Sequence, residues 1–322
     1  MRTITSQIET WPVRGVFRIS RDSKTEIDVV TIEVIDGTNI GRGECRPYTR
    51  YNETPKSVVA AIASLKSQLE NGLERSELGQ LLPPGAARNA IDCALWDLES
   101  KKSGLPVWEL AHLPPPQPLI TAYTLSVDTP ENVGLEAKKQ SSRPLLKLKL
   151  SGNNDLQCVA ATRANAPDSR IIVDANEAWT THDYAILTPE LARLGVEMIE
   201  QPFPAEADSC LATLPRLLPV CADESCHDCQ SLHRLVGLYD VVNIKLDKTG
   251  GLTEALRLKT LAAELGFEIM VGCMVGTSLA IAPAILLAQG ARYVDLDGPL
   301  LLARDRIPGV RYEGSQIFPM ES

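Results

Sequence analysis

Between residues 120 and 296 the chain repeats one pattern: a short apolar, β-branched run, then a helical stretch, then another run. Candidate strands are Ile120–Thr124, Leu145–Leu150, Ile171–Asp174, Met198–Glu200, Val220–Asp223, Val241–Lys245, Glu268–Val271 and Tyr293–Leu296. Helices fit between them, as at Glu254 to Leu265, closed by Gly266. Parallel neighbours need a crossover, so the alternation predicts a parallel sheet. Eight strands in about 180 residues predict a compact β/α barrel rather than an open sheet.

The chain ahead of this repeat reads as a mixed α+β unit. "EIDVVTIEVIDGTNIGRGEC" gives two strands joined at Asp36-Gly37, a hairpin signal. Helices follow around Ser57 to Leu69 and Ala86 to Ser103. In the second, Ala90, Ile91, Ala94, Leu95 and Leu98 recur at helical spacing. "HLPPPQPL", with prolines at 114, 115, 116 and 118, marks a boundary. The last barrel helix is expected to be short or partly missing, and the tail "GVRYEGSQIFP" reads as strand that returns to the N-terminal unit.

Composition excludes some functions. Forty-one acidic and 32 basic residues leave a formal charge of −9, the wrong sign for nucleic acid or an anionic membrane surface. No run of eighteen apolar residues predicts a membrane span, and "MRTITSQIETWPV" lacks a signal-peptide core. The eight cysteines are therefore expected to be reduced thiols of a cytoplasmic protein. "CADESCHDCQSLH" offers Cys226-x-x-Cys229, but a structural zinc needs a second ligand pair at a defined spacing, and ordinary thiols are the better reading.

In such barrels the chemistry lies at the C-terminal ends of the strands. Strand 2, "LLKLKL", carries Lys147 and Lys149; strands 3, 4 and 5 end in Asp174, Glu200 and Asp223; strand 6 ends in Lys245; strand 8 carries Asp295 and Asp297. Period-two spacing turns Lys147 and Lys149 to one face, and Asp295 and Asp297 likewise. A lone acid after a strand is usually a helix cap or a solvated loop residue. Three on consecutive strands would repel in one barrel mouth unless a cation were present, and hard oxygen donors favour Mg²⁺, with Mn²⁺ the alternative. Strands four apart face each other across a barrel, so Lys149 and Lys245 are expected to oppose, with the acids on the arc between them. A substrate carboxylate on the metal would then lie between two lysines. One, neutral, takes the α-proton to give an enediolate; the other, as ammonium, returns a proton and inverts the centre. Lys147 and the metal would both disfavour charge on Lys149.

These residues resemble the muconate-lactonizing subgroup of the enolase superfamily: the "KLK" strand, "VDAN", "IEQP", "ADES" and "NIKLDKTGG", with "GRGECRPY" and "AARNAIDCALWDLESKKSGLPVWEL" in the N-terminal unit. The resemblance covers nearly the whole chain. It implies a modified (β/α)7β barrel over 116–304, an α+β capping domain over 1–115, and a segment, 305–322, that returns to the cap. It implies Asp174, Glu200 and Asp223 as ligands of one Mg²⁺, Lys149 and Lys245 as acid and base, and Lys147 as a supporting cation. "DLDGP" resembles dipeptide epimerases, in which the Asp-x-Asp holds the substrate ammonium. The implied partner is a dipeptide, L-Ala-D/L-Glu foremost, in the recycling of cell-wall peptides. Lys24, in the capping loop, is a candidate for a glutamyl side chain, with a solvated lysine the blander alternative. Thr124, Cys273 and Met274 are further candidate substrate contacts. Another dipeptide, a cycloisomerase, an o-succinylbenzoate synthase, an N-acylamino-acid racemase and a carboxylate-binding barrel without turnover are the rival readings. The oligomeric state is left open.

Overall fold

A computed structural model of the chain describes residues 2–320. Three antiparallel strands come first: β1 (Thr3–Ile19), β2 (Asp22–Asp36) and β3 (Asn39–Cys45). The β2–β3 turn falls at Asp36-Gly37 as expected, with Gly37 at φ +65°. β1 is not expected from the sequence, because most of its residues are only partly covered and no apolar period announces it. Val30, Ile32 and Val34 pack with Ala90, Ile91 and Ala94 of the helix Ala86–Ser103, which has the bounds expected. Gly43 permits that approach: a Cβ there would stand 2.0 Å from Ala90 O. The helix expected over 57–69 is two, Pro55–Ser64 and Lys66–Glu70. Leu65, at ψ 7°, ends the first and starts the second, while Ile62, Leu65 and Leu69 all stay buried.

After β4 (Leu119–Ile120) come eight parallel strands: β5 (Tyr123–Leu125), β6 (Leu145–Lys149), β7 (Arg170–Asp174), β8 (Val196–Glu200), β9 (Val220–Ala222), β10 (Val241–Ile244), β11 (Glu268–Gly272) and β12 (Tyr293–Asp295). They lie side by side in chain order, and Ala122 N donates to Val294 O at 2.8 Å to join the first to the last. A single 3₁₀ turn, Gly298–Leu301, follows β12 in place of a full helix.

Two expectations are corrected at the barrel's seam. The strand expected over 120–124 is split, because residues 119–120 pair elsewhere. The tail forms a hairpin of β13 (Tyr312–Glu313) and β14 (Gln316–Ile317), and β14 pairs antiparallel with β4. The tail strands therefore join the barrel's entry, where β4 offers an edge, and not the sheet β1–β3. Contact with the N-terminal unit comes earlier: Ala303 N donates to Pro12 O at 2.8 Å, and Arg306 Nη2 reaches Glu9 at 2.8 Å and Glu44 at 2.7 Å.

The barrel interior is layered. Ala122, Leu145, Ile172, Met198, Cys221, Val241, Met270 and Tyr293 form one buried apolar cluster, the floor. Inward positions recur every second residue. Two residues further along, the same sites are Thr124, Lys147, Asp174, Glu200, Asp223, Asn243, Gly272 and Asp295. Leu146, Leu148 and Leu150 point the other way, into the cluster shared with the surrounding helices.

Candidate active site

The second layer is polar and closed from solvent. Lys147, 1% exposed, holds its Nζ 2.7 Å from Glu200 Oε2, 2.8 Å from Asp295 Oδ2 and 3.2 Å from Asp174 Oδ2. Lys149 donates to Asp174 Oδ2 at 2.5 Å, and Lys245 to Asp223 Oδ2 at 2.6 Å. Lys248 donates to Asp223 Oδ1 at 2.6 Å and to Asn243 O at 2.9 Å; Asn243 Nδ2 donates to Glu200 Oε1 at 2.7 Å. Asp174, Glu200 and Asp223 each offer an oxygen within 4.8 Å of the others', a spacing that can hold a cation.

The electrostatics follow from this crowding. Burial alone would raise Asp174, but Lys149 and Lys147 hold it down at about 2. Asp223 is likewise held well below the usual range against its burial, by Lys245 and Lys248. Glu200 is pushed up to about 7, first by burial and then by Asp174. Burial would lower Lys245, yet Asp223 and Glu200 outweigh it and keep the ammonium above its ordinary value. Asp297 is raised to about 7 by burial and by Asp295.

The backbone is shaped around the acids. Asn176, Glu177 and Gln201, just past Asp174 and Glu200, have φ of 44°, 66° and 35°, unusual for residues with a Cβ. Gln201 Oε1 accepts from Asp223 N at 2.9 Å and Ser225 N at 3.1 Å, which ties the ends of β8 and β9 together.

Above the lysines the N-terminal unit closes a cleft of about 650 Å³, its open mouth included. Lys149, Lys245, Cys273 and Met274 line it from the barrel; Lys24, Arg46 and Tyr48 line it from the cap. Lys24 also pairs with Asp22 at 2.9 Å. Thr124 borders a different hollow, with Tyr123 and Phe17, and its backbone N donates to Asp297 Oδ2 at 2.6 Å. Asp295 Oδ1 is buried and has no hydrogen-bond partner. Cys226 and Cys229 are free thiols that burial holds up to about 11 and about 12.

Several residues here escape sequence reasoning. Asn243 had a usable signal, since it lies two residues before Lys245 at the inward period of β10, whereas Lys248 sits in the helical turn that follows. The cap–barrel bonds had none. Arg21 donates to Asn176 O at 2.9 Å, Glu177 Oε2 at 2.7 Å and Glu224 Oε1 at 2.6 Å, and Arg50 donates to Glu177 Oε1 at 2.8 Å. Partners 203 residues apart, as Arg21 and Glu224 are, leave no local trace.

A cap over a barrel, with three acids flanked by lysines on strands half a turn apart, defines a class, and comparison agrees. Residues 135–300 match the model "Enolase C-terminal domain-like" and residues 1–111 match "Mandelate racemase / muconate lactonizing enzyme, N-terminal domain". The chain belongs to the enolase superfamily. Among its relatives, the L-Ala-D/L-Glu epimerase of Escherichia coli K12 is 45% identical over 98% of this chain and 99% of its own. The N-acetyl-D-glutamate racemase of a Pseudoalteromonas species is 45% identical over 91% of this chain and 94% of its own. An Agrobacterium tumefaciens enolase-family member with homology to dipeptide epimerases, solved with sodium and L-Ala-L-Glu, superposes with a TM-score of 0.98 at 49% identity, covering 100% of this chain and 98% of that one. A dipeptide epimerase from Enterococcus faecalis, solved with Mg and L-Leu-L-Tyr, has a TM-score of 0.91 at 28% identity over 99% of this chain and 97% of its own.

Proposed function

We propose that the protein is a dipeptide epimerase that inverts the α-carbon of the C-terminal residue, converting L-Ala-L-Glu to L-Ala-D-Glu and back. The observation that carries this reading is the lysine pair. Lys149 ends β6 and Lys245 directly follows β10, four strands apart in a ring of eight, with the three acids on the arc between them. Holding a carboxylate needs one cation; inverting a centre needs a proton taken from one face and another given to the opposite face. In one direction Lys149, as free amine, removes the α-proton and Lys245, as ammonium, supplies one; in the other direction the roles exchange.

The residues fit a divalent cation. The donors are hard carboxylate oxygens, and they converge, each within 4.8 Å of the others. Magnesium, one per subunit, suits them best, with manganese the alternative, held by Asp174, Glu200 and Asp223. When bound, such a cation supplies positive charge beside the substrate carboxylate and cancels the pull of Asp223 and Glu200 on Lys245. Lys147 adds fixed positive charge beneath the same carboxylate. The unmatched Asp295 Oδ1, with Asp297 beside it, takes the substrate ammonium. Lys24, Cys273 and Met274 line the cleft where the second side chain would lie, and Thr124 supports the clamp through Asp297.

The E. coli and A. tumefaciens relatives, named for or solved with the Ala-Glu dipeptide, support this substrate. The eight cysteines, all free, fit a reducing cytoplasm. A second reading, racemisation of an N-acylated glutamate, is favoured by the Pseudoalteromonas relative, but that substrate has no ammonium for Asp295. The test is incubation with L-Ala-L-Glu and Mg²⁺ in D₂O, followed by NMR. Deuterium should enter the Glu α-carbon and the L,D diastereomer should accumulate, chelation should stop both, and N-acetylglutamate should react more slowly. No exchange with any dipeptide would overturn the reading.

A further inference from the structure

Arg46 follows the last residue of β3, and its backbone N is fixed by Asp247 Oδ1 at 3.0 Å. Its side chain lines the cleft with Lys24, Met274 and Val275, yet the residue is only 7% exposed. Among the described residues the guanidinium makes one hydrogen bond, Nη1 to Val275 O at 2.9 Å, and no ion pair. The neighbouring arginines differ: Arg21 has a carboxylate at 2.6 Å and Arg50 has one at 2.8 Å. Tyr48 is the first group whose charge reaches Arg46, and the carboxylates that follow have other side-chain partners. Asp247 accepts from Asn89, Asp28 accepts from Thr10 and Asp22 pairs with Lys24. Burial works against the charge of Arg46.

A guanidinium carries five donors in a rigid fork and cannot shed its charge. Buried cations are normally paired, and one that is not, on the wall of a cleft, calls for an anion. The substrate's α-carboxylate belongs below, among the lysines. We propose that Arg46 receives the side-chain carboxylate of the residue being inverted and so selects an acidic residue at that position, with Lys24 adding charge at the mouth. This rests on the dipeptide-epimerase reading and adds the side chain that chooses the substrate. A fork matches a carboxylate with two parallel bonds, so lysine is a poor substitute.

The test compares wild type, Arg46→Met and Arg46→Lys on L-Ala-L-Glu, L-Ala-L-Gln and L-Ala-L-Met, by α-proton exchange in D₂O with kcat and KM resolved. Wild type should prefer the Glu dipeptide. Arg46→Met should lose about 10- to 100-fold in kcat/KM on it, mostly through KM, and change by less than about threefold on the other two. Arg46→Lys should fall between. Equal losses on all three substrates would mean a purely structural role and overturn the assignment, as would a wild type that uses Gln as well as Glu. Should Arg46→Met not fold, the same substrate comparison on Arg46→Lys decides: a Glu-selective loss supports the proposal and a uniform loss overturns it. A wild type that exchanges all three dipeptides without preference rejects Arg46 alone; one that exchanges none rejects the epimerase reading and this assignment with it.

Discussion

Lys149 and Lys245 make similar contacts but sit in unlike surroundings. Lys149 rests on Asp174 at the edge of the cleft, with 10% of its side chain exposed. Lys245 is packed over Asp223 and is held above its ordinary pKa by Asp223 and Glu200, against the effect of burial. Each should serve one face of the α-carbon. Lys149→Ala and Lys245→Ala should therefore each lose epimerisation by about 10²- to 10⁴-fold, while each still exchanges the α-proton of one diastereomer, a different one for the two variants. NMR in D₂O with L-Ala-L-Glu and L-Ala-D-Glu separately reads this out. If both variants exchange the same diastereomer, the two-face assignment is wrong. The acids and lysines were legible in the sequence because strand ends recur at near-constant spacing. Arg21 and Arg46 were not, because what gives them meaning is a cleft formed by segments far apart in the chain.

Among the elements, β11 shows how much a strand can contribute by omitting a side chain. A Cβ on Gly272 would stand 2.7 Å from Asn243 Oδ1 and 3.1 Å from Lys245 Cε. The inward position on β11 is empty so that β10 can place its amide on Glu200 and its lysine over Asp223. Gly272→Ala should destabilise the protein by about 1–3 kcal/mol and lower kcat at least tenfold or so by moving Lys245. Thermal unfolding and steady-state kinetics check the two parts; an unchanged kcat would show that Lys245 tolerates the shift. Most elements could be read from the sequence because their periods are clean: the helix 86–103 matches in full, and seven of the eight expected barrel strands lie within a residue or two of their bounds. The failures have physical causes. β1 carries no apolar period, and the split at 120–124 depends on a tail nearly two hundred residues away.

Across the whole molecule, cap and barrel are joined by buried polar groups. Asp92 accepts from Thr253 N at 3.0 Å, Arg88 Nη2 donates to Thr249 O at 2.5 Å, and Asp247 accepts from Asn89 Nδ2 at 2.8 Å. Burial pushes Asp247 up to about 7 from an ordinary 3.8. The folded protein therefore binds this proton more tightly than the unfolded chain does. That contribution is complete below the unfolded value and is lost as pH rises to the folded one. Relative to wild type, Asp247→Asn should gain stability on the order of 1 kcal/mol per pH unit between about pH 4 and pH 7. Urea titrations at several pH values measure it, and a difference that does not vary with pH would show that Asp247 is charged throughout. Two units were legible from the proline boundary and the change of period, but not the groups that join them.

The seam between β5 and β12 has a kinetic meaning. The ring closes only when the last parallel strand pairs with the first, and that strand brings Asp295 to Lys147, 148 residues away. Until then Lys147 lacks one of its carboxylates and the layer beneath the cleft is open to water. Such a non-local closure is slow, because its entropy must be lost before the contacts form. A chain emerging from the ribosome can build the cap and seven strands while the charged layer stays incomplete. Closing the fold and assembling the site are then one late event, and a chain stalled before residue 293 would carry every proposed metal ligand and both lysines without the closed layer that surrounds them.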